Sequence, residues 1–327
     1  MPRILVNPAV LYETEGPHLD VLRDADLEVV YPPGGAAIRD AKELQERLKG
    51  IEGVIASVEP YTREVLKNSK LRAIARMGVG YDAVDVAAAT ELGIVVATTP
   101  GTNEHSVAET AIALLTGVFR GLPWRYKEVI AGKWGKRALP RLAGNTIGLM
   151  GMGRIGKAMV PRCQGLGLKV IAYDPFPDEQ FAKDNDVRLC SLEELLSEAD
   201  IVSLHLPALE ETRDIINADT LAKMKPGSVL INSSRGALVD EEALVQAMQS
   251  GHLMAAGLDV YKTEPLPLDS PLLKLDNILM LPHIAGLDLQ SQEAMGTMAA
   301  KCLADLYQGV WPEGCVVNSE LCEGWKW

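Results

Sequence analysis

Three ionisable side chains follow three strand-like runs in the C-terminal third of the chain. Arg235 comes after GSVLINSS, Glu264 after MAAGLDV, and His283 after NILMLP. In open α/β sheets ligands bind beyond the carboxyl ends of the strands, so residues placed there can share one substrate. Singly each has an ordinary reading: Arg235 as a surface cap, Glu264 as a solvated loop charge, His283 as a packed histidine. Together they fit the reduction of a 2-oxo acid, which needs a hydride on one carbonyl face and a proton for the developing alkoxide. An imidazole, with an unperturbed pKa near ~6.5, donates and accepts protons around neutrality. A neighbouring carboxylate holds such a ring in orientation and favours its cation. A guanidinium binds the substrate carboxylate and polarises the carbonyl.

A hydride donor is implied upstream. GNTIGLMGMGRIGKAMV carries Gly151, Gly153 and Gly156 in G-x-G-x-x-G spacing, after a strand-like run and at the start of a helical one. Gly151 allows a tight turn, Gly153 lets a pyrophosphate approach the backbone, and Gly156 lets helix and strand pack closely. The helix N-terminus offers N–H groups and a positive dipole end to phosphate. Asp174 ends the next strand, KVIAYD, where a carboxylate accepts from both ribose hydroxyls and repels a 2′-phosphate. Asp174-Pro175-Phe176 supplies no arginine for that phosphate, so the pattern predicts NAD rather than NADP.

These residues need a scaffold, and the chain supplies one by alternation. Strands are predicted at RILVN, LEVVY, GVIAS, RAIAR and GIVVAT, with helices at GPHLDVLRDA, AKELQERLKG and TREVLKNSK between them. A long helix from about Asn103 to Arg120 follows. The second series of strands is NTIGLMG, KVIAYD, DIVSLHLP, GSVLINSS, MAAGLDV and NILMLPH. Its helices start near Gly153, at Ser191, near Asn217 and at Asp240; Ser191 and Asp240 read as caps with acidic residues in the first turn. A last helix runs from about Leu289 to Tyr307. Such alternation predicts an α/β protein built on parallel sheets with crossover helices.

At 327 residues the chain is long enough for about two domains. A formal net charge of −12 argues against a nonspecific grip on nucleic acid or anionic lipid. Cys163, Cys190, Cys302, Cys315 and Cys322 show no C-x-x-C and no metal-ligand spacing, and read as free thiols in a reducing compartment with no bound metal. MPRILVNPAV is no secretory signal, and AETAIALLTGVF is short and contains Glu109, so a membrane span is not expected. The expected location is the cytoplasm.

The segments GMGRIG, YDPF, HLP, NSSRG, GLDVYKTEP and PHIAG occur in the order of the D-isomer-specific 2-hydroxyacid dehydrogenases, which this chain resembles over most of its length. Arg76-Met77-Gly78-Val79-Gly80-Tyr81-Asp82 and Asn103-Glu104-His105-Ser106-Val107-Ala108-Glu109 extend the likeness. The resemblance implies two Rossmann-like or flavodoxin-like doubly wound domains with the active site in the cleft between them. It implies a discontinuous substrate domain of residues 1–99 and 287–327, with residues 100–286 binding NAD. Arg235 would bind substrate, Glu264 assist, and His283 act as general acid/base. Cofactor contacts are implied at Gly151, Gly153, Arg154, Ile155, Gly156, Asp174, His205, Pro207, Ser234, Arg235, Asp259, His283 and Gly286, with Asp259 meeting the nicotinamide amide. The backbone at Val79 and Gly80 would receive the substrate carboxylate, as consecutive N–H groups in a glycine turn form an anion nest. His105 and His205 are not candidates for catalysis. Family members are usually dimers through the first crossover region, where Trp134 lies.

In many relatives a threonine or serine follows the PHIxx segment; here Gly286-Leu287-Asp288-Leu289 stands there. Asp288 is either a helix N-cap or a charge disfavouring phosphorylated substrates. Arg76 is a possible phosphate contact. Glyoxylate, hydroxypyruvate, phosphohydroxypyruvate and sugar-derived 2-oxo acids all stay open as substrates. Two other readings stand beside the reductase: a non-enzymatic, NAD-sensing corepressor-like protein, and a dehydrogenase of an unusual donor such as phosphite.

Overall fold

Runs such as RILV, GVIA and AIAR are apolar at nearly every position, the pattern of strands covered on both faces. The computed structural model of the protein describes residues 1–33 and 40–327. It divides into two compact units, Met1–Asn103 with Leu287–Trp327, and Glu104–Gly286. In the first unit the chain alternates β1 (Arg3–Val6), α1 (Pro17–Asp24), β2 (Glu28–Val30), α2 (Ala41–Arg47), β3 (Gly53–Ala56), α3 (Arg63–Lys67), β4 (Ala73–Arg76), α4 (Val86–Glu91) and β5 (Val95–Ala97). The strands form one parallel sheet in the order β2-β1-β3-β4-β5, a flavodoxin-like arrangement. Separate apolar cores lie on its two faces, one around Ile4, Ile55 and Ala75, the other around Leu5, Val54 and Ile74.

The second unit begins with α5 (Glu104–Phe119) and α6 (Leu122–Ile130). It continues through β6 (Thr146–Met150), α7 (Arg154–Gly165), β7 (Lys169–Tyr173), α8 (Glu179–Asp184), β8 (Arg188–Leu189), α9 (Leu192–Glu198) and β9 (Ile201–Leu204). It ends with α10 (Ala218–Lys223), β10 (Ser228–Asn232), α11 (Glu241–Gln249), β11 (Leu253–Leu258) and β12 (Ile278–Met280). All neighbours are parallel, in the order β12-β11-β10-β9-β6-β7-β8. The chain reverses its direction of growth between β6 and β9, and the carboxyl ends of those strands border the crevice where such sheets bind ligands.

Local chemistry explains the helix starts. Ser191 and Glu194 close a capping box on α9, Asn217 caps α10, and Asp240 accepts from Glu242 and Ala243 N–H at the start of α11. Three short helices, α4, α6 and α8, were not expected from the sequence. The apolar residues of α6 cover no core, since the helix has no buried residue, so its pattern pointed at nothing within the chain.

The chain then returns to the first unit as α12 (Leu289–Tyr307), which packs on α1 and on β3 and β4. Asp288 is its N-cap, accepting from Ser291 N–H at 2.7 Å, which settles that residue's local role. The tail is tied by buried Asn318, which accepts from Val96 N–H and donates to Ile94 O. Among the described residues no helix is long and apolar enough to cross a membrane.

Candidate active site

The loop after β12 holds His283 in a left-handed backbone conformation, φ 57°, which a residue with a Cβ rarely adopts. Neighbouring groups enforce it. His283 N–H donates to Asp259 O at 2.8 Å, and the Asp259 carboxylate accepts from Ile284 N–H at 2.9 Å and Ala285 N–H at 2.8 Å. From α5, buried Ser106 donates its hydroxyl to Ala285 O at 2.8 Å. Asp259 is fully buried, and burial raises its carboxyl above the usual range against the opposing pull of those two N–H groups.

Glu264 meets this histidine from the loop after β11. Its Oε2 lies 2.7 Å from His283 Nδ1, and its Oε1 accepts from Tyr261 N–H at 3.0 Å. Burial alone would raise Glu264, but the hydrogen bond and charge of His283, the Tyr261 N–H and the charge of Arg235 together hold it below the usual value. An ionised Glu264 therefore accepts from Nδ1–H, which fixes the orientation of the ring and leaves Nε2 as its other nitrogen. Arg235 follows β10; its backbone carbonyl accepts from Asn232 Nδ2 at 2.8 Å. All three expected residues thus lie at the carboxyl edge of one sheet, and the charge of Arg235 reaches Glu264.

The glycine loop lies on the same edge. Gly151 has φ 106°, and a Cβ there would fall 2.7 Å from the His205 carbonyl. A Cβ on Gly156 would fall 2.1 Å from Gly151 O, whereas one on Gly153 would meet nothing within 4 Å. Gly153 is also the N-cap of α7 and brings no side-chain acceptor, so the first-turn N–H groups, including those of Arg154 and Ile155, stay available to an anion. Asp174 accepts from Met152 N–H at 2.6 Å and Phe176 N–H at 2.8 Å, which fixes the acid at the end of β7 beside this loop. Loop, helix end and acid fit a dinucleotide.

Ser234 donates its hydroxyl to Leu206 O at 2.5 Å, which ties the loop after β10 to the one bearing Pro207. Pro207 is exposed and Gly286 half-buried. His205 points differently: its Nε2 is 2.9 Å from the Ser203 hydroxyl, and burial pushes the imidazole down to about 4. Its backbone carbonyl borders the glycine loop at Gly151, and its N–H donates to Met150 O at 2.7 Å. In the first unit, Val79 and Gly80 lie in a turn after β4 where Gly78 has φ 132°. Arg76, 7% exposed, donates through Nε to Gly80 O at 2.9 Å and through Nη1 to Ala56 O at 3.4 Å. Its guanidinium supports the turn from within.

Sequence reasoning missed Ser106 and Tyr261. Both sit inside motifs quoted for other reasons, and no spacing rule marks a hydroxyl that bonds a distant carbonyl.

A family model described as the D-isomer specific 2-hydroxyacid dehydrogenase, NAD binding domain, matches residues 112–285. The chain is 38% identical over 288 residues to a glyoxylate reductase of Korarchaeum cryptofilum, covering 86% of each. It is 37% identical over 296 residues to a D-3-phosphoglycerate dehydrogenase of Archaeoglobus fulgidus, covering 89% of this chain and 55% of that one. The chain thus spans about half the length of the phosphoglycerate dehydrogenases it matches. A D-lactate dehydrogenase of Aquifex aeolicus, solved with NAD and lactic acid, superposes with a TM-score of 0.84 at 29% identity, over 96% of this chain and 98% of that one.

Proposed function

The chain belongs to the D-isomer-specific 2-hydroxyacid dehydrogenases, NAD-dependent oxidoreductases acting on a CH–OH group, and we propose that it reduces a small unphosphorylated 2-oxo acid such as hydroxypyruvate or glyoxylate. The observation that carries this reading is the 2.7 Å pair of His283 and Glu264 beside Arg235 at the edge that bears the glycine loop. NADH would supply the hydride when bound. Gly151, Gly153, Arg154, Ile155, Gly156, Asp174, Pro207, Ser234 and Gly286 would hold it, the N–H groups at the start of α7 suiting its pyrophosphate and the Asp174 carboxylate its ribose. Arg235 binds the substrate carboxylate and draws charge from its carbonyl. His283 gives its Nε2 proton to the oxygen as it becomes an alkoxide, and takes it back in the reverse direction. Glu264, accepting from Nδ1–H at 2.7 Å, keeps the ring in place.

One feature supports an unphosphorylated substrate: Arg76, at the end of β4 before the Val79–Gly80 turn, is engaged by Gly80 O and Ala56 O. The test is NADH oxidation, followed by absorbance, across glyoxylate, hydroxypyruvate, its phosphate, pyruvate and 2-ketogluconate. A higher kcat/KM for the phosphorylated acid than for its parent would reverse the substrate choice, and no turnover on any of them would remove the reading.

The active form is proposed to be a homodimer joined through α6. Leu122, Tyr126, Val129 and Ile130 are 54%, 69%, 57% and 69% exposed, and Trp134 just beyond is 79% exposed. An apolar face of this extent on one short helix is the composition of an interface between copies.

A further inference from the structure

We propose that Tyr261 is a positioning residue for the proton donor, acting through the loop that carries His283. The inference rests on the assignment of His283 as general acid/base. Tyr261 is buried, and its hydroxyl donates to Leu281 O at 2.8 Å, two residues before His283. Its backbone N–H donates to Glu264 Oε1 at 3.0 Å, the carboxylate whose other oxygen faces His283 Nδ1. One residue therefore holds both halves of the acid/base pair: the loop through its side chain, the carboxylate through its main chain.

The anchor is itself fixed. A Cβ on Gly236 would fall 1.9 Å from Tyr261 C and 2.1 Å from Tyr261 O, so the backbone after Arg235 presses directly on Tyr261. Tyr261 belongs to the buried apolar core that also contains Leu258 and Leu272. A phenylalanine would fill that core equally well, yet it would leave Leu281 O without this donor. The hydroxyl thus does something packing does not require. It ties the loop between Leu281 N–H, which donates to Leu258 O, and the Asp259 carboxylate beneath Ile284 and Ala285. Removing that tie frees a segment whose left-handed histidine persists only while its surroundings hold it.

The test is Tyr261→Phe, which deletes one oxygen and keeps the ring. Hydrogen exchange of the peptide spanning Leu281–Gly286 is expected to quicken about fivefold, the worth of one ordinary hydrogen bond. The kcat for 2-oxo acid reduction is expected to fall by about the same factor, with a larger solvent isotope effect and unchanged NADH affinity. Unchanged exchange overturns the proposal, and so does faster exchange with full kcat in an active enzyme. In a Glu264→Gln background the same change should cost little more, whereas full additivity would show that Tyr261 does not act through the pair. If the wild type reduces no 2-oxo acid, exchange still decides whether Tyr261 holds the loop, and the failure then falls on the His283 assignment.

Discussion

Asp259→Asn is the most informative single change, because the structure gives its size. Asp259 is fully buried and both carboxylate oxygens accept backbone N–H groups, Ile284 at 2.9 Å and Ala285 at 2.8 Å. Asparagine keeps the shape but offers one acceptor and turns an NH2 toward the other N–H. The loss is one charge-assisted hydrogen bond, about 1.5–3 kcal/mol, and it releases a left-handed histidine that costs roughly 1 kcal/mol to hold. The sum, about 2.5–4 kcal/mol, corresponds to a fall of ~70- to ~900-fold in kcat/KM if the loop leaves its productive position. Stability should respond differently. Burial raises the Asp259 carboxyl. Its contribution to stability is therefore present below the unfolded carboxyl pKa and lost as pH rises through the folded one. Asparagine removes the burial penalty on the ionised form, so lost hydrogen bonding and relieved burial oppose each other in Tm while activity simply falls. Steady-state kinetics, calorimetry and an NADH fluorescence titration separate these effects. A kcat/KM within ~3-fold of wild type would refute the anchoring argument. A loss confined to NADH affinity would instead return Asp259 to a role at the nicotinamide.

Other outcomes follow from the same geometry. His283→Ala should lower kcat by at least ~100-fold while NADH still binds, read by stopped assay and fluorescence titration. Asp174→Ala should narrow the preference for NAD over NADP, measured as the ratio of kcat/KM values; the lost carboxylate bonds Met152 N–H directly, so NADH binding should weaken as well. His205 is held at about 4 by burial, so its stabilising contribution is complete above ~6.5 and drains away as pH falls toward 4, at up to ~1.4 kcal/mol per unit. His18, also lowered by burial, adds in that window; His205→Gln should flatten the denaturant-derived slope by up to one proton while leaving the share of His18. Ile130→Glu should convert a dimer to monomers by light scattering, and a wild type that is already monomeric would dispose of the α6 interface.

Much of this protein was legible before any coordinates. β-branched runs covered on both faces, glycines in dinucleotide spacing and cap residues such as Ser191, Asn217 and Asp240 act over a few residues, where the chain's own stereochemistry decides. The order of the motifs also carried the family resemblance. What waited for the fold were the meetings between distant strand ends. Glu264 reaches His283 across 19 residues, Asp259 reaches Ala285 across 26, and Tyr261 reaches Leu281 across 20. Each depends on β11 and β12 lying side by side, a matter of sheet order that local propensity does not encode. The same is true of Arg76, whose charge promised a phosphate contact until the turn after β4 folded back onto it. Residue types and local spacing determined which chemistry was available, and tertiary packing decided which of those groups are free to perform it, because a buried donor or acceptor must first satisfy its neighbours.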